Sequence, residues 1–449
     1  MVIKQIKWKD HPILGDLELD FTKEDGSIYN TIVFAGENGT GKTTILENLS
    51  EFLNLGALEY IDYIKYVVND EQYSLYPQDE FNGAKFGFHK RKNETTGAII
   101  NVSTGKHDII REKGKNLEDI RSYGCSYSRA RSGFETKRVT STTTQQLDGE
   151  SYENDENQDF TSIKQLIVDV QTQDSSDWWN IAGNEDKPSF EEFKKQSKIF
   201  RFENAFNEFF DTISFKKIDN NDPTEKRILF EKHGKEISID QLSTGEKQIV
   251  FRGAHLLKNA KNLSNGIVLI DEPELSMHPK WQEKILSYYR NLFTNGGVQT
   301  TQIMFATHSN YVLKSSLEDK DNVLVIILQD KDGTINAKKV NSSFILPTIT
   351  AAEINYWAFN ILSVDYHIQL YGYLQEKENK FTVKACDDFI FNHIEFNQAL
   401  HGKNSSYKGT SYQTLPTFVR NSIDHPATSA VYTSEELRIS LELLIELCK

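Results

Sequence analysis

The sequence predicts an α/β fold, a parallel sheet with helices against it, and three stretches predict it. The β-branched run Thr31–Ala35 leads through Gly36–Thr44 into Ile45-Leu46-Glu47-Asn48-Leu49, which has helical spacing. The apolar run Gly266–Ile270 ends in Asp271-Glu272-Pro273, and Gln302–Thr307 ends at His308. Each reads as a buried strand that stops at a polar turn, the pattern of a parallel sheet covered on both faces.

The first stretch, GENGTGKTT, matches G-x-x-x-x-G-K-[ST] in a strand–loop–helix setting. Glycines at Gly36, Gly39 and Gly41, with Asn38 between them, let backbone N–H groups converge on a polyphosphate. Lys42 then places its ammonium on the β and γ phosphates, and Thr43, followed by Thr44, opens a helix whose N-terminus favours anions. Thr43 is also a ligand for Mg²⁺. Together these residues predict a nucleoside triphosphate site. Asp271, at the C-terminal edge of its strand, is placed to bind Mg²⁺ through water, and Glu272 to polarise an attacking water. His308 is the candidate for a γ-phosphate contact.

Composition bounds what else the chain does. Its 449 residues carry a formal charge of -14, with 26% charged and 38% hydrophobic residues. That is an ordinary soluble balance, and any contact with nucleic acid must use a local basic patch. Residues 84–115 hold Lys85, Lys90, Arg91, Lys92, Lys106, Arg111, Lys113 and Lys115 against Glu94, Asp108 and Glu112; the plainer reading is the solvated face of a β-meander. Cys125, Cys386 and Cys448 lie far apart, which indicates neither a disulfide framework nor a zinc site. No apolar run approaches membrane-spanning length, Met1-Val2-Ile3-Lys4 opens no signal peptide, and a cytoplasmic location with no membrane contact is expected.

In chain order, Val2–Phe21 reads as two strands around His11–Gly15. Thr43 to about Leu58 is helical, and Lys85–Phe88, Ala98–Val102 and Asp108–Arg111 are short strands of a small β subdomain, about 84–115. Thr140–Asp159, polar and then acidic, reads as a flexible loop. Ser162–Val170 and Ser189–Phe210 predict helices of an insertion, about 160–212, with its phenylalanines as core. Ile228–Glu231 and Glu236–Ile239 form a hairpin. It leads into QLSTGEKQIVFRGAHLL, where Ser243-Thr244-Gly245-Glu246 stands at a helix N-terminus.

Phosphate loop, LS-x-GE, apolar strand with Asp-Glu-Pro, then strand and His, in that order, resembles the head of ABC-type ATPases, the group of the structural-maintenance and RecF proteins. The resemblance implies a P-loop NTPase head over residues 1–345. It also implies that Ser243, Gly245 and Glu246 act in trans on ATP held by a second copy, so that a homodimer forms through the ATP heads. Ser276-Met277-His278 would form the D-loop. A glutamine from a loop before the signature is implied too, and Gln145, Gln146, Gln171 and Gln173 are all open.

Residues 346–449 read as a mostly helical region. Ala352–Asn360, Val364–Leu374, Leu415–Pro426 and Tyr432–Arg438 resemble the tail of the PtuA ATPases of Septu antiphage systems, some of them attached to retrons. That family implies a higher oligomer and an HNH endonuclease partner, PtuB, acting on DNA. Arg420, Asn421 and His425 are candidate partner-docking residues. The Arg-x4-His spacing of Arg420 and His425 also resembles HEPN ribonucleases. A defence ATPase of the PARIS kind with a Toprim partner, and a RecF-like repair ATPase, are the alternative readings.

Overall fold

The computed structural model describes residues 1–55, 59–78, 88–102, 119–149, 160–222, 224–425 and 431–449. Two compact units divide the chain, Met1–Lys338 and Lys339–Lys449.

The first unit begins as the alternation of its first strands demands. β1 (Val2–Trp8) pairs antiparallel with β2 (Glu18–Asp20) and with β4 (Ile61–Val68), and β5 (Glu71–Pro77), β6 (His89–Asn93) and β7 (Ile99–Val102) continue the sheet. Ile3, Ile6, Trp8, Ile64, Tyr66 and Leu75 turn to the core, each fully buried. The two described strands of this range, β6 and β7, are the far edge of a six-stranded sheet, because β5 carries the pairing from β4 to β6. The expected strands at Lys85–Phe88 and Asp108–Arg111 lie wholly or mostly outside the described residues, as do five of the eight cations of the basic run.

Beside it lies the sheet that positions the site. β3 (Thr31–Ala35), β8 (Cys125–Ser128), β12 (Ile267–Asp271), β15 (Gln302–Thr307), β16 (Val323–Lys331) and β17 (Thr334–Lys339) are ordered β17-β16-β3-β15-β12-β8. From β16 to β8 the neighbours are parallel. β3, β12 and β15 are buried at every position, which explains their uninterrupted apolar sequence. The helix Lys42–Leu55 follows β3 and buries Ile45, Leu46, Leu49, Phe52 and Leu53.

The insertion folds differently from expectation in two places. Its first helix runs Thr161–Ile181, well past Val170. In the polar segment Thr172, Ser175 and Ser176 turn their hydroxyls back to the carbonyls of Val168, Gln171 and Thr172, so these side chains are satisfied within the helix itself. The second helix is broken into Phe190–Gln196 and Phe200–Phe209. Asp174, buried in the first helix, accepts from the backbone N–H of Lys198 at 3.0 Å and of Ile199 at 2.7 Å, fixing a turn there. The described part of the expected flexible loop is also tied down. Asp169 accepts from Thr143 N, and Asp148 pairs with Arg201; residues 150–159 lie outside the described residues. A three-stranded antiparallel sheet, β9 (Ile213–Asp219), β10 (Arg227–Lys232) and β11 (Lys235–Ser238), precedes the signature segment. Past β12 a two-residue hairpin, β13 (Thr294–Asn295) and β14 (Val298–Gln299), leads into β15.

The second unit packs the helices Val364–Lys377, Leu415–Asp424 and Ser434–Cys448 around Leu370, Leu374, Val419, Leu441 and Leu444. It also holds a hairpin, β18 (Gly402–Tyr407) and β19 (Thr410–Thr414), which a mostly helical reading did not include.

Asp174→Ala would leave the Ile199 N–H buried without a partner. It should lower the unfolding free energy by about 1–3 kcal/mol, read as an earlier urea midpoint at unchanged slope; an unshifted midpoint would show that the break forms without Asp174.

Candidate functional site

The parallel register fixes the site. Thr307 pairs with Ala35, and Ala306 with Asp271, so β3, β15 and β12 end at one level and their loops open on one edge. The loop after β3 depends on glycine. Gly41 has φ +84°, and a Cβ there would meet Leu14 Cδ2 at 2.5 Å. The β1–β2 turn thus packs directly on the phosphate loop, held by His11, whose Nδ1 accepts from Ile13 N and Leu14 N.

Lys42 is 4% exposed and donates through Nζ to the carbonyls of Gly36 and Glu37, both at 2.8 Å. Burial pushes its ammonium down to about 8, against the opposing pull of Asp271, Glu272 and Glu274. Thr43 Oγ1 donates to Asp271 Oδ2 at 3.0 Å. Asp271 is 3% exposed and its other oxygen, Oδ1, has no hydrogen-bond partner; burial raises its carboxyl to about 6. A hydroxyl and a buried carboxylate oxygen free to bond are the hard oxygen donors that a small divalent cation takes, so the residues fit Mg²⁺.

Glu272 sits in the left-handed region, φ +43°, with its N–H on the Ala306 carbonyl. Its Oε1 stands 3.1 Å from His308 Nε2. That hydrogen bond holds its carboxyl below the usual range despite partial burial. His308 and Glu272 therefore meet at the ends of adjacent strands, one orienting the other. Glu274 was not singled out in the sequence, although it is the third acid of Asp-Glu-Pro-Glu. Buried, with its carboxyl pushed up by desolvation, it accepts from Thr307 Oγ1 at 2.7 Å and His308 N at 2.8 Å, and so pins the turn that carries His308.

The signature segment is split between inside and outside. Ser243 caps the short helix Thr244–Lys247 in a reciprocal box with Glu246. Glu246 is 4% exposed and also takes Lys232 Nζ at 2.6 Å, so its carboxylate is committed within its own chain. Gly245 is buried too, where a Cβ would come 2.6 Å from the Ser276 carbonyl of the turn after β12. Ser243 and Thr244 face outward. Among the described residues Ser243 makes hydrogen bonds with Glu246 and none with the phosphate loop. Of the three residues assigned to act in trans, the fold presents Ser243.

Gln145 and Gln173 bond to each other's region of the insertion, and Gln171 lines a cavity with Trp178; among the described residues none of the four glutamines bonds to Lys42, Thr43, Asp271 or Glu272. In the second unit, Arg420 is committed to Asp424 at 2.7 Å and Asn421 at 2.9 Å, and the His425 ring stacks on Tyr407 at 4.1 Å. The Arg420 guanidinium is thus held within its own helix, while His425 lies against the β18–β19 hairpin.

A Retron Vc95 probable ATPase of Vibrio cholerae serotype O1 biovar El Tor is 22% identical over 383 residues, 68% of this chain and 70% of its own length. A Retron Ec83 probable ATPase of Escherichia coli is 33% identical over 94 residues, 19% of this chain and 16% of that protein. Among solved structures, the SMC head domain from Thermotoga maritima aligns with 76% of this chain and 100% of its own at 13% identity and a TM-score of 0.41. An Smc head domain derived from Pyrococcus furiosus aligns with 76% of this chain and 96% of its own at 12% identity and a TM-score of 0.40. No helix among the described residues is long and apolar enough to cross a membrane.

Because polyphosphate favours the charged form of Lys42, binding above about pH 8 requires proton uptake. ATP affinity should hold to pH 8 and then fall, by roughly tenfold between pH 7.5 and 9.5; a flat calorimetric titration across that range would contradict the Lys42 assignment. The family profile described as "AAA domain, putative AbiEii toxin, Type IV TA system" matches residues 32–314, well over half of the chain, and the protein belongs to that family of P-loop ATPases.

Proposed function

We propose that this chain is the ATP-hydrolysing switch of an antiphage defence assembly, in which closure of two heads on ATP controls a partner nuclease. The observation that carries the catalytic half is the convergence of Lys42, Thr43, Asp271, Glu272 and His308 on one sheet edge. Lys42 and the loop N–H groups bind the phosphates. Glu272, ionised and aligned by His308, takes the proton from the attacking water. Thr43 and Asp271 would hold Mg²⁺, which neutralises charge on the β- and γ-phosphate oxygens when bound.

The biological half rests on the retron-associated relatives and on the resemblance of the C-terminal region to PtuA. On this reading the outward Ser243 meets ATP on a second copy, giving a homodimer and then a higher oligomer. The second unit docks an HNH endonuclease, PtuB, which cuts DNA, with Arg420, Asn421 and His425 at that surface.

Lys42→Ala should abolish ATP binding and turnover. Glu272→Gln should keep ATP bound but lower kcat by about 10²–10⁴, and accumulate the dimer by light scattering. Chelating divalent cations should stop turnover by the wild-type protein. Undiminished nucleotide affinity in Lys42→Ala, or turnover in excess chelator, would remove the site assignment. Copurification from the native host tests the partner: an HNH protein at fixed stoichiometry supports it, and a Toprim protein, or DNA alone, contradicts it.

A further inference from the structure

The helix that carries the signature contains a charged residue in an apolar run, Ile249-Val250-Phe251-Arg252-Gly253-Ala254. Arg252 is 0% exposed. Its guanidinium has five N–H donors, and five hydrogen bonds use them. Nε donates to Ser128 Oγ at 2.8 Å, Nη1 to Gln248 Oε1 at 3.4 Å and to the Glu272 carbonyl at 3.0 Å, and Nη2 to the Ser128 carbonyl at 3.0 Å and the Asp271 carbonyl at 2.6 Å. None of these acceptors is a carboxylate. The cation ties the ends of β8 and β12 to the signature helix through backbone oxygens.

Two further features meet at the same point. Residues Gln248–Arg252 form a π-helical turn inside an otherwise α-helical segment, a local widening that persists only where something holds it. Glu272, whose carbonyl Arg252 holds, is the strained left-handed residue of the site. A lysine could not reproduce the fork, having three donors about a single nitrogen.

We infer that Arg252 is a positioning residue for hydrolysis. It fixes the backbone of Asp271 and Glu272 from the signature helix, so that the Glu272 carboxylate is aimed only while that helix is seated. This rests on the ATPase reading above. Because Ser243 and Arg252 lie on one continuous helical segment, displacement of the signature moves the two carbonyls as well, which links the outward-facing serine to the catalytic carboxylate of its own chain.

Kinetics of Arg252→Lys and Arg252→Met test this, with fluorescent-nucleotide binding and thermal melting alongside. ATP affinity should stay within about threefold, because the phosphate loop is untouched, while kcat falls at least about thirtyfold, more in the methionine variant. In a Glu272→Gln background, Arg252→Lys should produce no further loss beyond about twofold, since both act through one carboxylate. Equal losses in binding and turnover, or losses that multiply, would make Arg252 merely structural and overturn the inference. If both variants fail to fold, Gln248→Leu, which removes one acceptor of the fork, should lower kcat less with KM unchanged; unchanged kcat would overturn it. Turnover by Lys42→Ala at the wild-type rate would instead sink the ATPase reading, and this inference with it.

Discussion

The parallel register of β3, β15 and β12 is the constraint on which the head depends. Thr307 opposite Ala35, and Ala306 opposite Asp271, bring three loops to one edge although they are separated by more than two hundred residues of chain. A shift of one residue in either pairing would move each chemical group by about 3.3 Å and turn it to the other face of the sheet. These strands are buried at every position, and the residues of the site come at the C-terminal edge where the loops begin.

Electrostatics follows from that burial. Lys42 and Asp271 are both driven towards their neutral forms, the amine down to about 8 and the carboxyl up to about 6, because each is removed from water. A polyphosphate beside the first and a divalent cation beside the second act in the opposite direction. Nucleotide and metal are thus favoured together by the same desolvation that penalises either charge alone. Glu272 is treated differently. It is less buried and paired with His308, which keeps it ionised and suited to take a proton.

The sequence made the strands and their terminal residues legible because their chemistry is local: GENGTGKTT, Asp271-Glu272 and His308 each announce themselves within ten residues. What it did not reveal depends on long-range contacts. Glu274 reads as one more acid in a turn until the fold brings Thr307 and His308 onto it. Arg252 is one charge in an apolar run, and its partners on β8 and β12 appear only when the fold surrounds it. Glu246, read as an outward signature residue, is claimed by Lys232 from a strand fourteen residues earlier. The break near Ser197 was invisible for the same reason, since Asp174 on another helix makes it. The joining of β6 and β7 to β5 was equally hidden, because edge pairing cannot be read from short runs.

The proposed ATP site is shared between two copies, with Lys42 from one and Ser243 from the other. Mixing Lys42→Ala and Ser243→Arg proteins tests it most directly. Each alone should be inactive, but a mixed dimer contains one site with an intact phosphate loop facing an intact signature. ATP turnover should return on mixing, rising with the fraction of mixed dimers. Two inactive proteins that stay inactive together, while each still folds and the Ser243→Arg protein still binds ATP, would contradict a site built in trans.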